Sequence, residues 1–363
     1  MLLDGLDDNR ELIFTSLVRH IDFIGMRCVS SPTDSLVEGD VVVVRVDEAV
    51  GYAVGAGFLS SSLVEDRSGT LRVLYKGGCV VTAVGNREST FWTVAELSAG
   101  SGPKMNLVSH AGLCSYLTSG QTNRVTAVSV IGRVAEKDGT LLNVKRKYVA
   151  PERAAVYRKR AVSVFCGTSA EVGKTTTLLH ILRKIRAGEP GATILAIKLS
   201  GTPSEAEINL YKSYGANSVV NLVDLGFPSS YTLDYGLLRE RVEDLVSSRL
   251  FVETDHVLVE LGGDVIGGRN DDLVRLLTSN TNATFVLSAF DCFGAEGCSR
   301  HLKARGVNVA AITGKCTANT IVKQRTRELC RVPALSVFDE DDLVQLVSLH
   351  GQAKRRYECR SAT

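Results

Sequence analysis

Gly173-Lys174-Thr175 follows an apolar run, Ala161–Cys166, across a short loop of small residues, and opens a stretch with helical spacing. Residues of these types in this order can hold a phosphate. The backbone N–H groups of Gly167, Thr168, Ser169, Ala170, Glu171, Val172 and Gly173, continued by Lys174, Thr175 and Thr176 at the helix start, can wrap phosphate oxygens with the helix dipole behind them. Lys174 is placed to reach β- and γ-phosphates, and the Thr175 hydroxyl to ligate Mg²⁺. One departure stands out: the common spacing GxxxxGK(S/T) puts its first glycine at position 168, which is Thr168, and Gly167 comes one residue early.

Three further residues end apolar runs that read as buried strands. Lys198 closes Ile194–Ile197; a lysine there either extends to solvent or supplies a cation to a transferring phosphoryl group or a carboxylate. Glu260 closes Val257–Val259, where an acid facing the phosphate loop would anchor the Mg²⁺ directly or through water. Asp224 follows Val219–Val223 and precedes a Gly/Pro/Ser loop, so it reads equally as a metal ligand or a turn former. Asp264 and Arg269, in the glycine-rich stretch after Glu260, are weaker candidates.

The elements that position these groups fall into two textures. From about Asp40 to Val149 the apolar runs are short, rich in Val and broken by turn residues: Asp40–Val46, Thr70–Tyr75, Cys79–Val84 and Val125–Val134. That pattern predicts an antiparallel β-rich domain over residues 1–150, a small barrel or sandwich, with one helix in the opening segment up to about Ile24. Residues 151–160, polar and basic, read as a linker. From 161 to 363 β-branched runs alternate with helical patterns. Expected strands are Ala161–Cys166, Thr193–Leu199, Ser218–Val223, His256–Leu261, Ala283–Ala289 and Val307–Thr313. The helix Lys174–Arg186 and a second at Ser204–Tyr214, with Ser204 and Glu207 as a capping box, lie between them. Such alternation predicts an α/β fold with a doubly wound parallel sheet, in which ligands bind at the carboxyl ends of strands.

Bulk properties exclude several function classes. The 363 residues suffice for two domains, and 44% hydrophobic with 23% charged residues is a globular composition. A net charge of +2 argues neither for nucleic acid nor for an acidic membrane surface. The opening MLLDGLDDNRELIF is acidic and lacks the features of a signal peptide, and no apolar run is long enough to span a bilayer. The nine cysteines are odd in number and never spaced as CxxC, which suits reduced thiols in a cytoplasmic protein better than a zinc site or disulfides. The C-terminal AKRRYECR reads as a solvated tail.

The loop GTSAEVGKTTT resembles the GTDTxVGKT loop of dethiobiotin synthetase and its relatives, which include the amidoligases of cobyrinate synthesis. AIKLSGT (196–202) resembles that group's strand-ending lysine followed by a small residue and Gly, and DHVLVELGG (255–263) resembles its D-x-x-x-V-E-G-A-G-G segment, with Leu261 where the group has a small glycine. Over the whole chain, KLSGT, VDLGFPSSY and VELGG behind LVEGDVVVVRV and GNREST resemble a poorly characterised P-loop family with a β-rich N-terminal domain. The resemblance implies an ATP- and Mg²⁺-dependent ligase or kinase in which Lys174, Lys198 and Glu260 serve phosphorylation of a small carboxylate or carbamate for attack by an amine. Lys198 would contact the carbamate and the γ-phosphate. It further implies a homodimer, and purine contacts in the segment after Val307–Thr313, with Thr313 and Asn319 the residues named. No NKxD segment is present, which favours ATP over GTP. Two alternatives remain open. One is a nucleotide-switch ATPase of the partition type, although its extra lysine corresponds to Ser169. The other is an acyltransferase that holds a phosphate-bearing cofactor such as coenzyme A in the loop.

Overall fold

The computed structural model describes residues 12–30, 33–48, 63–89, 92–120, 125–156 and 159–361. The chain divides into two compact units: Met1–Val149 with Thr202–Asn209 and Asn221–Tyr231, and Ala150–Gly201 with Leu210–Val220 and Thr232–Thr363. Two segments from the second half of the chain therefore belong to the first unit. The stretch read as a linker also has fixed partners within the second: Ala154 N donates to Ser247 O and Arg249 N to Glu152 O.

In the first unit the main sheet runs Leu12–Phe14, Cys79–Ala83, Val41–Glu48, Thr126–Ala135, Lys104–Leu107 and Cys114–Ser115, with Arg27–Val29 also pairing Thr126–Ala135. A parallel bridge from Val84 to Cys114 brings the last strand back beside Cys79–Ala83, turning the sheet toward a barrel. The run of valines follows from this, because both faces of the strand are covered. Val41 and Val43 pack with Leu17, Phe23, Val81 and Ala83, whereas Val42, Val44 and Val46 pack with Val80, Met105 and Val128. Within the described part of the opening segment, residues 12–24, the expected helix is not formed; the rest of that segment lies outside the described residues. Leu12–Phe14 pairs in parallel with Cys79–Val81, and Ser16–Val18 makes one buried 3₁₀ turn. Apolar residues there serve a sheet edge and a cover over one sheet face, and strand pairing overrides helical spacing.

The second unit supplies the doubly wound sheet. In chain order its elements are β1 (Ala161–Gly167), α1 (Lys174–Gly188), β2 (Ile194–Lys198), α2 (Glu205–Ser213), β3 (Ser218–Asn221), α3 (Tyr235–Val246), α4 (Arg249–Glu253), β4 (His256–Glu260), α5 (Asn270–Asn280), β5 (Asn282–Ser288), α6 (Cys292–Lys303), β6 (Val309–Thr313), α7 (Thr320–Cys330) and α8 (Glu340–Ser361). Strand order is β3-β2-β4-β1-β5-β6, and the recorded pairs are parallel. Every residue of β2 and β4 is buried, as their unbroken apolar runs require. The first residues of α2 belong to the first unit, and their cap comes from there as well. Buried Glu65 accepts from Ser204 Oγ at 2.8 Å and from the N–H groups of Glu205 and Ala206 at 2.8 and 2.7 Å. The expected Ser204 cap to Glu207 N is present but long, at 3.4 Å.

At the amino ends of the central strands, α8 is tied to the sheet by a hydrogen-bonded chain. Ser163 Oγ meets His350 Nδ1 at 2.8 Å, His350 Nε2 meets His256 Nδ1 at 2.8 Å, and His256 Nε2 meets Glu189 at 3.1 Å. Both imidazoles are 3% exposed. The segment read as a C-terminal tail continues α8 as far as Ser361. Among the described residues no helix is long and apolar enough to cross a membrane.

Candidate functional site

Strand β1 delivers the loop and α1 begins at its end, so the first-turn N–H groups of α1 face the space the loop surrounds. Gly173 adopts φ 111° and Glu171 φ 58°, two left-handed residues that turn the loop back onto the helix start. The early glycine also has a local reason. A Cβ on Gly167 would lie 2.8 Å from Val172 Cγ2 and 2.9 Å from Lys174 Cδ, so the close approach falls at 167, and Thr168 is free to carry a side chain. Thr168 N is anchored on Ser288 O of β5 at 3.0 Å.

Lys174 folds over this loop. Its Nζ donates to Ser169 O at 2.6 Å and to Gly263 O at 2.8 Å, and the residue is 5% exposed. Burial lowers its pKa to about 8, against the opposing pull of Glu260 and with help from Lys198. The residue before Gly263 is held on both sides: Gly262 N donates to Ser200 Oγ at 2.8 Å, and Asn270 Nδ2 donates to Gly262 O at 2.6 Å.

Parallel register sets Glu260 opposite Lys198 on one side and opposite Phe165 on the other. The Glu260 side chain is 1% exposed, and both of its carboxylate oxygens are engaged. Oε1 accepts from Lys198 Nζ at 2.7 Å and from Thr175 Oγ1 at 2.9 Å, and Oε2 accepts from Tyr211 OH at 2.6 Å. Burial alone would push this carboxyl up; the Lys198 ammonium and the hydrogen bonds from Lys198 and Tyr211 outweigh it and hold Glu260 below the usual glutamate range. A buried ion pair of this kind is weak evidence for stability, because desolvating both charges offsets their attraction. Its place at the carboxyl ends of β2 and β4, in contact with the first helical turn after the loop, is better explained by chemistry than by stability.

The remaining candidates have other partners. Asp224 lies in the first unit, and its carboxylate is engaged by His20 Nε2 at 2.5 Å, Arg19 Nη2 at 2.8 Å and Asn221 N at 2.7 Å. We therefore assign Asp224 to that cluster rather than to metal ligation. Asn319 Oδ1 caps α7 by accepting from Val322 N at 2.9 Å, which engages the oxygen considered for purine contact. Thr313 is fully buried. Asp264 makes a local turn with Ile266 N and Gly267 N, and Arg269 precedes α5 and pairs with Asp272 at 3.3 Å. Sequence reading missed Tyr211, Ser200 and Asn270. Ser200 and Asn270 flank motifs already singled out, whereas Tyr211 sits mid-helix with nothing to distinguish it from a core aromatic.

Strand, loop and helix on this parallel sheet form the fold of P-loop nucleoside triphosphatases, and the arrangement suits nucleotide binding. A hydroxyl and a carboxylate in contact at the helix start are hard oxygen donors of the kind Mg²⁺ takes. No protein-family model matches the chain, and no curated protein matches it. Among solved structures it is similar to a ParA family ATPase from Chlorobium tepidum TLS, at 13% identity over 53% of this chain and 92% of the other, with TM-score 0.32. It is similar to a DUF1611 family protein from Anabaena variabilis, at 13% identity over 59% and 64%, with TM-score 0.37. A third is the hydrogenase maturation factor HypB from Archaeoglobus fulgidus, at 17% identity over 54% and 90%, with TM-score 0.33. Likeness at this level carries no argument about activity, and the loop geometry is the stronger ground.

Proposed function

We propose that the second unit binds Mg·ATP in the cytoplasm and transfers the γ-phosphoryl group to a small carboxylate- or carbamate-type oxyanion, which an amine then attacks. The observation that carries this reading is Lys198, a second buried lysine beside the loop lysine, held 2.7 Å from the acid that also contacts Thr175. Transfer of a phosphoryl group between two anions has to neutralise both, and a desolvated second cation beside the loop lysine suits that task. Lys174 would accompany the β- and γ-phosphates, exchanging its carbonyl partners Ser169 and Gly263 for phosphate oxygens. Thr175 and Glu260 would hold Mg²⁺, which when bound withdraws charge from the phosphate oxygens. Lys198 would orient the acceptor oxyanion, with Glu260 fixing its ammonium and Tyr211 fixing Glu260. The protein's contribution is alignment and charge neutralisation, with no covalent intermediate on the chain.

The test is ADP release from Mg·ATP, alone and with pools of amino acids, other carboxylates, amines and bicarbonate. Release confined to one pool and lost in Lys174→Ala and Lys198→Ala supports the reading and identifies the acceptor class. Equal release without any pool would sink it in favour of a nucleotide switch. Bound phosphate-bearing cofactor with no ADP release would sink it in favour of acyl transfer.

A further inference from the structure

A cavity of about 260 Å³ lies within the first unit, a volume below that of most drug-sized sites, so its ligand is small. Leu17, Ile21, Val144 and Val223 give it an apolar wall, and His20, Asp224 and Lys147 line it as well. The charges of these last three decide what can enter.

Asp224 brings a negative charge. Its carboxylate is held by Arg19 at 2.8 Å, by His20 Nε2 at 2.5 Å and by the N–H of Asn221 at 2.7 Å. Burial acts to raise this carboxyl, but the His20 hydrogen bond and the Arg19 guanidinium prevail, so it stays ionised and below the usual aspartate range. The guanidinium does not cancel that charge alone, since it also pairs with Glu205 at 3.1 Å. An ionised Asp224 fixes the imidazole beside it. In neutral His20 the proton sits on Nε2, toward the carboxylate, and Nδ1 is left as an acceptor without a partner among the described residues. Asp224 and His20 therefore offer a ligand acceptors and a negative charge.

Lys147 brings the opposite charge. Its ammonium pairs with Glu136 at 2.7 Å, but both side chains are about one-third exposed, so that ion pair is weak and exchangeable. A ligand with a carboxylate alone is repelled by Asp224, and one with an amine alone is repelled by Lys147. A molecule bearing both charges satisfies the two together.

We infer that this cavity binds a small zwitterion with an aliphatic side chain, an α-amino acid of the leucine or valine type. Its ammonium would donate to Asp224 and to His20 Nδ1, and its carboxylate would accept from Lys147 Nζ. Its side chain would lie against Leu17, Ile21, Val144 and Val223. The site needs neither nucleotide nor Mg²⁺, so it stands or falls independently of the proposed phosphoryl transfer.

The experiment is ligand-observed NMR and calorimetry on the full chain with leucine and three relatives that each lack one charge. Isocaproate lacks the ammonium, isopentylamine lacks the carboxylate, and leucine methyl ester masks it. Leucine should bind, and each relative should bind roughly tenfold to a hundredfold more weakly, the range for a hydrogen bond to a charged group. Lys147→Met should weaken leucine by a similar factor and erase its advantage over isopentylamine. His20→Leu should weaken leucine and narrow its advantage over isocaproate. Val223→Phe, which fills the apolar side, should abolish binding, while nucleotide binding by all three variants stays unchanged. No leucine binding at millimolar concentration would overturn the assignment. So would a single-charge relative that binds as well as leucine, or a Lys147→Met protein that still prefers leucine to isopentylamine.

Discussion

The two ends of the central sheet in the second unit are built from the same strands and chemically opposed. At the carboxyl ends, one buried carboxylate collects an ammonium, a hydroxyl and a phenol: Lys198, Thr175 and Tyr211 all donate to Glu260. At the amino ends, Ser163, His350, His256 and Glu189 form a chain in which each imidazole bridges the group before it and the group after it. With both imidazoles neutral that chain is satisfied in one direction, Ser163 O–H to His350, His350 N–H to His256, and His256 N–H to Glu189. Buried polar groups cost least when each donor finds one acceptor. The amino end meets that condition and reads as structure. The carboxyl end carries charge into the interior, which is tolerated where a ligand uses it.

Removing a member should separate the two ends most sharply where charge is involved. Lys198→Met leaves Glu260 buried without its counter-charge and should cost about 3–5 kcal/mol, read as a lower chemical-denaturation midpoint. Lys198→Met with Glu260→Gln should recover much of that loss while remaining inactive; if the double variant is as unstable as the single, the charge account fails. His350→Ala removes the partner of Ser163 Oγ and of His256 Nδ1 and should cost about 1–3 kcal/mol. Faster hydrogen exchange should appear at Glu340–His350 with nucleotide affinity unaltered, and altered affinity would mean the two ends are not independent.

A pH prediction follows from Lys174, whose folded-state pKa near 8 lies below its ordinary 10.5. Above about pH 8 the free protein holds this lysine neutral, whereas a bound triphosphate favours the ammonium. Nucleotide binding should therefore take up a proton above pH 8 and weaken by up to about tenfold per pH unit toward 10.5, with no such slope below pH 7. The same depression makes the free protein gain stability as pH rises through that window, because the unfolded chain there binds the extra proton. Calorimetry between pH 7 and 9.5 checks the first effect, and a flat profile would place Lys174 away from the phosphates. The smallest effect belongs to Tyr211→Phe, which removes one donor from Glu260 and should cost about 1 kcal/mol, with turnover reduced a few-fold.

How much of this was legible depended on how local each signal is. Gly173-Lys174-Thr175 announces its loop because strand, turn and helix start lie within one short segment, and Lys198 and Glu260 announce themselves by ending apolar strands. The alternation of β1 to β6 with helices likewise reads off the chain. Tyr211 does not, since periodicity says that a helical residue is buried but not which carboxylate its hydroxyl meets. Asp224 looked like Glu260 in sequence, an acid after an apolar run. Its distinguishing partners, Arg19 and His20, lie about two hundred residues earlier. Leu12–Phe14 was misread because its helical spacing is equally that of a strand followed by a buried turn, and the pairing that decides between them comes from Cys79–Val81.

The discontinuity of the first unit has a consequence for how the chain is made. Glu65 is 1% exposed and three of its hydrogen bonds come from Ser204, Glu205 and Ala206; Arg19 finds its acceptors at Glu205, Asn221 and Asp224. A ribosome that has released the first 149 residues has therefore not released a complete folding unit. An acid that so far has only Ser16 among the described residues to donate to it, and a guanidinium whose acceptors lie later in the chain, wait while β1, α1 and β2 are synthesised, and the earlier half of the protein is finished by the later one. Cutting the gene at the apparent boundary would yield a fragment with uncompensated charges in its interior, whereas ending it after Tyr231 would supply the missing partners.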